Sequence, residues 1–192
     1  MRTIGANEQQ ILEKAAAEAG IPTLLLMESA AHAVAERALQ LVAEHDLQRV
    51  MVLCGAGNNG GDGFAAARML LGRVHHLQVF EAEAAEDNKG DAHLNRQICL
   101  NLGITPQLFS AFEPSDGLII DAVYGSGFKA DRPLSLEFES LARKVNQARM
   151  EQGALVLAVD LPSGVQADHG QVAPTVIQAD ETLSFLYIKT GL

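Results

Sequence analysis

The sequence predicts an α/β fold, a mostly parallel sheet covered on both faces by helices. Three observations carry this. Helical and strand patterns alternate along the chain. The strand patterns Val50–Leu53, Leu118–Ile120 and Ala154–Val159 are continuously apolar, as strands buried on both faces must be. Between strand 49–54 and the helix-forming run Phe64–Leu71 stands Cys54-Gly55-Ala56-Gly57-Asn58-Asn59-Gly60-Gly61-Asp62-Gly63, a glycine-rich turn from strand to helix.

Taken in order, residues 7–19 place Ile11, Leu12, Ala15, Ala16 and Ala19 at helical spacing, and Gly20-Ile21-Pro22 stops them. Thr23 is read as the cap of a second helix reaching Glu44. Its apolar face would hold Leu26, Met27, Ala30, Ala33, Val34 and Leu41. Glu28, Ser29 and His32 on that helix read as a solvated face with a core-edge histidine. After the glycine turn and its helix, His75–Glu81 is a second strand. Its adjacent histidines point to opposite faces and cannot share one ion. A polar turn at 86–90 leads to a helix over 91–102, ended by Gly103. Gln107-Leu108-Phe109 is a short strand, and 117–122 a clearer one that ends in an acid. Residues 124–133 form a loop with two glycines and two cations, Lys129 and Arg132. The helix over 135–150 offers Leu136, Phe138, Leu141, Val145 and Met150 for packing. Strand 154–160 is the strongest signal and also ends in an acid; Leu161–Gly164 is the turn after it. Asp168-His169-Gly170 is a further turn, and 181–187 a last strand.

Composition bounds the rest. At 192 residues, 48% hydrophobic and 20% charged, the chain reads as one globular domain spanning 1–192. A net charge of −10 argues against a nucleic-acid surface, and any anionic ligand must be held locally. Cys54 and Cys99, the only cysteines, sit in apolar settings, so neither a disulfide framework nor a zinc quartet is expected. No apolar run reaches about 18 residues, the length of a membrane span. Met1–Gly5 lacks the shape of a signal peptide. A cytoplasmic, reducing setting without membrane contact is the expectation.

In parallel sheets ligands bind outside the carboxyl ends of the strands. The glycine loop, Asp121 and Asp160 each follow such an end, so they should meet at one crevice. The first N–H groups of the helix after the loop favour a phosphate there. Asn59, Asp121 and Ser163 are the choice for an oxygen-lined cation site. One acid among neutral oxygens suits a monovalent ion; Mg²⁺ would favour more carboxylates. The plainer alternative is that Asp121 and Asp160 only cap the loops that follow them. Lys129 and Arg132 are candidates for a phosphate, or else ordinary surface cations. Glu81 stands where a dinucleotide fold carries its ribose-binding acid. Asp62 and the paired asparagines do not suit a standard dinucleotide turn, and no histidine or tyrosine–lysine pair organises hydride transfer. Glu81 is therefore read as an ordinary strand end.

Gly55–Gly63, then Asp121-Ala122-Val123-Tyr124-Gly125-Ser126-Gly127, then Asp160-Leu161-Pro162-Ser163-Gly164, in this order and spacing, resemble the YjeF N-terminal domain family, the NAD(P)H-hydrate epimerases. Leu26–Ala30 and Ala179–Phe185 also look like family segments. The resemblance implies a Rossmann-like three-layer α/β/α sandwich and a homodimer. It implies interconversion of the R and S forms of hydrated NADH and NADPH (NADHX and NADPHX) at C6 of the nicotinamide. The S form would pass to an ADP- or ATP-dependent dehydratase, fused or separate. By motif position, K⁺ would be held by Asn59, Asp121 and Ser163. Substrate contacts map to Asn58, Asn59, Gly60, Gly61 and Asp62, to Gly125, Ser126, Gly127, Phe128, Lys129, Ala130 and Asp131, and to Asp160. Asp160 is the candidate acid/base, protonating the leaving hydroxyl and deprotonating the incoming water. Two departures stand out. Ala31 occupies a position where the family pattern has glycine. The chain also stops at Leu192, short of the family's usual end, as a domain excised from a bifunctional protein would. A binding module without catalysis, or an ordinary NAD-dependent oxidoreductase, are the competing readings.

Overall fold

The computed structural model describes residues 3–83, 85, 88–129, 131 and 133–192. The elements run β1 (Thr3–Ile4), α1 (Ala6–Glu18), α2 (Thr23–Glu44), β2 (Arg49–Cys54), α3 (Asn58–Leu70), β3 (His76–Glu81), α4 (Gly90–Asn101), β4 (Gln107–Leu108), β5 (Leu118–Ala122), α5 (Leu136–Glu151), β6 (Leu155–Val159), β7 (Glu181–Leu183) and β8 (Ile188–Lys189). Six strands form one sheet in the order β4-β3-β2-β5-β6-β7, and each pairing is parallel. Val52 stands level with Val79 and Ile120, and Ile120 with Leu157.

Alternation along β2 decides the layers. Val50, Val52 and Cys54 pack with Ala31 and Val34 of α2 and with Phe64 and Ala67 of α3. Met51 and Leu53 pack on the other face with Phe138, Leu141 and Val145 of α5. Both faces are thus dry, which is why the strands read as unbroken apolar runs. Burying side chains of this size contributes about 1.5–3 kcal/mol each. The result is the expected three-layer α/β/α sandwich. Among the described residues no helix is long and apolar enough to cross a membrane.

The structure corrects several element-level expectations. Thr23 is the first helical residue of α2 and not its cap; Pro22 holds the cap position, and the Thr23 hydroxyl donates to Asp91 Oδ2 at 2.5 Å. Ala33 and His32 are exposed, and Ala31, Ala35 and Ala38 carry the buried face instead. Glu28 is no solvated residue: it pairs with Arg68, whose Nε donates to Asn95 Oδ1, so one guanidinium ties α2, α3 and α4 together. Leu136 and Met150 are 81% and 76% exposed, because they lie at the two ends of α5 where the buried face has turned away. Glu86 and Asp87 of the expected polar turn lie outside the described residues.

Of the expected strand over 181–187 only Glu181–Leu183 forms, as β7. Leu186 takes a left-handed φ of 62°, which breaks the run, and β8 then pairs in parallel with β1 as a separate two-stranded sheet. A two-residue strand such as β1 has no period to read. Asp168 fixes the adjacent helix, accepting from the Ala6 N–H at 2.7 Å.

Candidate functional site

Strand order reverses between β2 and β5, since β3 and β4 follow on one side and β6 and β7 on the other. Such a switch point opens a crevice at the carboxyl ends of the strands. A cleft of about 940 Å³ lies there. The start of α3, the loop after β5 and the residue after β6 all reach it.

The glycine stretch enters it differently from expectation. α3 begins at Asn58, so Asn58 to Gly63 are its first turns and not a loop. Of the glycines in that stretch only Gly57 is left-handed, at φ 138°, where it turns the chain from strand into helix. Gly60 is required by contact: a Cβ there would stand 1.8 Å from the Gly55 carbonyl oxygen. Gly61 likewise faces Met27 and Ala92 of the neighbouring helices. Gly60 and Gly61 therefore lie buried behind the wall, while Asn58, Asn59 and Asp62 line the cleft.

On the opposite wall, Gly125, Ser126, Gly127, Phe128 and Lys129 line the cleft, and Asp131 is exposed outside it. Ala130 and Arg132 lie outside the described residues. The wall is braced by rings: Tyr124 stacks on Phe128 at 5.3 Å and leans on Phe138 at 4.7 Å. Gly125 leaves room for two functional side chains, since a Cβ there would meet Asn59 Oδ1 at 2.9 Å and Asp160 Oδ2 at 3.1 Å.

Asp160 is the most constrained residue of the site. Its φ is +69°, a region that costs a non-glycine residue about 1–3 kcal/mol and that collects at functional sites. Its Oδ2 accepts from the Ser126 N–H at 2.9 Å. Its Oδ1 lies 2.6 Å from the ammonium of Lys189, and both residues are buried. Asp62 also faces the cleft. Burial, and then the negative charges of Asp160 and Glu13, push its carboxyl well above the usual carboxylate range.

Asp121 and Ser163 are both fully buried and joined to each other. The Ser163 hydroxyl donates to Asp121 Oδ1 at 2.5 Å, and the Ser163 N–H donates to Oδ2 at 2.8 Å. The same hydroxyl accepts from the Tyr124 N–H at 2.8 Å. Burial raises the Asp121 pKa to about 6, against the lowering pull of the Ser163 and Val123 hydrogen bonds. No lysine or arginine is paired with this carboxyl among the described residues; its hydrogen-bond donors are all neutral. Asn59 stands one loop away, beside Gly125, and its buried Nδ2 has no hydrogen-bond partner among the described residues. One carboxylate, a hydroxyl and a carboxamide are hard oxygen donors of low total charge, which fits a monovalent cation.

Glu81 is not free to read a ribose. It takes two hydrogen bonds from Arg96, both at 2.7 Å, and is an ordinary strand end as expected. Three groups of contributors were missed from the sequence. Gln9, Gln10 and Glu13 of α1 and Lys89 border the cleft, and Leu26, Met27, Phe185 and Leu186 give it an apolar wall. Lys189 lies beneath Asp160; a lone lysine directly after the run Leu186-Tyr187-Ile188 was its one visible signal.

Comparison with known proteins follows the same lines. A family model described as YjeF-related protein N-terminus matches residues 23–191. The NAD(P)H-hydrate epimerase of Limosilactobacillus fermentum is 37% identical over 177 residues, covering 90% of this chain and 79% of the relative. That of Weissella koreensis is 35% identical over 179 residues, covering 91% and 76%. The bifunctional NAD(P)H-hydrate repair enzyme Nnr of Thermofilum pendens is 35% identical over 201 residues. This chain, matched throughout, spans 37% of that relative's length. The crystal structure of yeast ynu0, YNL200c, superposes with a TM-score of 0.80 over 100% of this chain and 83% of that one. At 22% identity that likeness is one of fold.

Proposed function

The chain belongs to the YjeF-related protein N-terminus family, and from that premise we propose that it interconverts the R and S forms of hydrated NADH and NADPH at C6 of the nicotinamide ring. The observation that carries the reading is a pair of carboxyl groups, Asp160 and Asp62, in one cleft at the ends of the parallel strands.

The chemistry is redox-neutral. The ring nitrogen lone pair forms a C=N bond to C6 as the C6–O bond breaks. The departing oxygen takes a proton and leaves as water. A second water adds to C6 from the opposite face, returns the electron pair to nitrogen and gives up a proton. One group must donate and another accept. With the Lys189 ammonium against it, Asp160 faces the cleft as a carboxylate and takes the proton of the incoming water. Asp62, pushed upward by burial, keeps its proton to higher pH and supplies the leaving oxygen. Solvent in the cleft then carries the proton back from Asp160 to Asp62.

The first N–H groups of α3, at Asn58 and Asn59 on the cleft wall, take the phosphates, with Gly60 and Gly61 packed behind them. Gly125, Ser126, Gly127, Phe128 and Lys129 face them across the cleft, with Lys129 supplying positive charge. Glu13, Asp62, Asp91 and Asp160 make the cleft acidic against Lys89 and Lys129, so a bound cation has work to do there. We assign a potassium ion to Asn59, Asp121 and Ser163; bound, it supplies positive charge beneath the phosphates. The support is the buried Asp121 carboxyl, whose hydrogen-bond donors are all neutral, with the Ser163 hydroxyl oxygen against it.

We further propose a cytoplasmic protein, in keeping with two buried free thiols. A homodimer would cover apolar residues that α1, which buries none of its own, leaves exposed. The S hydrate has lost nothing but configuration, so a dehydration must consume it, whether the dehydratase is fused or separate.

The deciding experiment supplies R-NADHX and R-NADPHX separately and follows the S form by chromatography. Both should equilibrate at least ~100-fold faster than without protein, and faster in potassium than in sodium or choline buffer. Tight binding without conversion would leave a binding module. The pH arm has a definite sign. Asp62 has a raised pKa, so its protonated form is complete below its ordinary value and is lost as pH rises through the shifted one. The rate should therefore fall on the alkaline side, and Asp62→Asn should abolish turnover at every pH.

A further inference from the structure

Lys189 is a lysine with no exposed surface. Burying an ammonium costs several kcal/mol unless it is matched by charge and by hydrogen bonds. Four acceptors surround its three protons: Ser184 Oγ at 3.2 Å, the Phe185 carbonyl at 2.9 Å, the Tyr187 carbonyl at 3.3 Å and, nearest, Asp160 Oδ1 at 2.6 Å. The carboxylate is the one neighbour that answers the ammonium's charge. Carbonyls alone would satisfy the protons but not the charge.

Two further features surround this pair. Asp160 holds a left-handed backbone, and its N–H donates to the Leu183 carbonyl at 2.8 Å, so the strained residue is tied to β7, the strand just before the lysine's loop. Lys189 itself is stapled on its far side: Ile4, fully buried, stands level with it in the β1–β8 pair, and the Thr190 N–H donates to the Ile4 carbonyl at 3.0 Å. The ends of the chain therefore hold the ammonium under the cleft.

We propose that Lys189 is a positioning residue for the epimerisation, holding the Asp160 carboxylate by Oδ1 so that Oδ2, fixed by the Ser126 N–H, presents to the reacting carbon. The lysine touches no substrate; it acts through Asp160. This rests on the epimerase reading above.

The test compares wild type, Lys189→Met, Lys189→Gln, Asp160→Asn and the double variant Asp160→Asn with Lys189→Met. Gln keeps amide donors for the carbonyls of the 184–187 loop and removes only the charge. Both single lysine variants should lose at least tenfold in kcat for R-NADPHX, with KM held within about threefold. In the Asp160→Asn background the lysine change should cost nothing more, because the carboxylate it positions is already gone. Should Lys189→Met fail to fold, Lys189→Gln carries the same comparison. A merely structural lysine gives a different pattern: Lys189→Gln keeps wild-type kcat, or the losses multiply in the double variant, and either result overturns the proposal. Wild type that turns over neither hydrate overturns the epimerase reading and this inference with it; wild-type turnover matched by Lys189→Gln overturns this inference alone.

Discussion

Asp160→Asn should lower kcat for both hydrates by about 10²–10⁴-fold, the usual contribution of a positioned acid or base. Dinucleotide binding should stay within a few-fold of wild type. Asparagine is the informative replacement for three reasons. It is one of the few residues that tolerate a left-handed backbone, so φ 69° need not relax. It retains a side-chain oxygen to accept from the Ser126 N–H. It removes the negative charge and with it the ability to take a proton. Stability will suffer, since Lys189 keeps its charge and loses its counter-charge. Breaking one side of a buried pair costs about 3–5 kcal/mol, so a melting temperature lower by ~10 °C is expected. Activity must therefore be normalised to folded protein, by circular dichroism at the assay temperature. Near wild-type turnover by folded Asp160→Asn would remove Asp160 from the chemistry.

What the sequence made legible follows from where information is local. Asp121 and Asp160 each end a continuous apolar strand, so the rule for parallel sheets places them at one end of the sheet without any contact map. Lys189 carries no such label. Whether a lysine after Tyr187-Ile188 is buried depends on Asp160 and on Ile4, and both meet it only after folding. The glycines were legible as a site but not for the right reason. Their spacing suggests a glycine-rich turn between strand and helix, whereas Gly60 and Gly61 are in the helix and serve close packing. Helix ends were also misread: periodicity fixes the middle of α5 but does not say which way Leu136 and Met150 point once the core surface has ended. The break at Leu186 has no turn residue to announce it, since leucine rarely adopts a positive φ.

Gly60→Ala pits two effects against each other, and their sizes decide it. By helix propensity alone alanine is better by about 1 kcal/mol, so an exposed helix would gain. Here the new Cβ would stand 1.8 Å from the Gly55 oxygen, 2.7 Å from its carbon and 2.9 Å from its nitrogen. All three are backbone atoms, and Gly55 has nowhere to go. Its N–H donates to the Ala122 carbonyl at 3.0 Å, and its own Cβ position is closed by the Val123 oxygen at 2.0 Å. Relief must come from sliding the first turn of α3 off the ends of β2 and β5. Overpacking that moves backbone costs about 1–3 kcal/mol and sometimes more; with two opposed main chains the upper end is expected. Asn58, Asn59 and Asp62 ride on that turn, so dinucleotide binding should be lost even where the fold survives. Gly127→Ala is the control on the facing wall: among the described residues no atom beyond its chain neighbours lies within 4 Å of its Cβ position and its φ is ordinary, so stability should change by less than about 0.5 kcal/mol. Any rise in KM for Gly127→Ala then reports substrate at that wall. A Gly60→Ala chain that melts with wild type and binds dinucleotide would mean that the turn and the sheet ends are not locked together, and the cleft would lose the rigidity on which its chemistry depends.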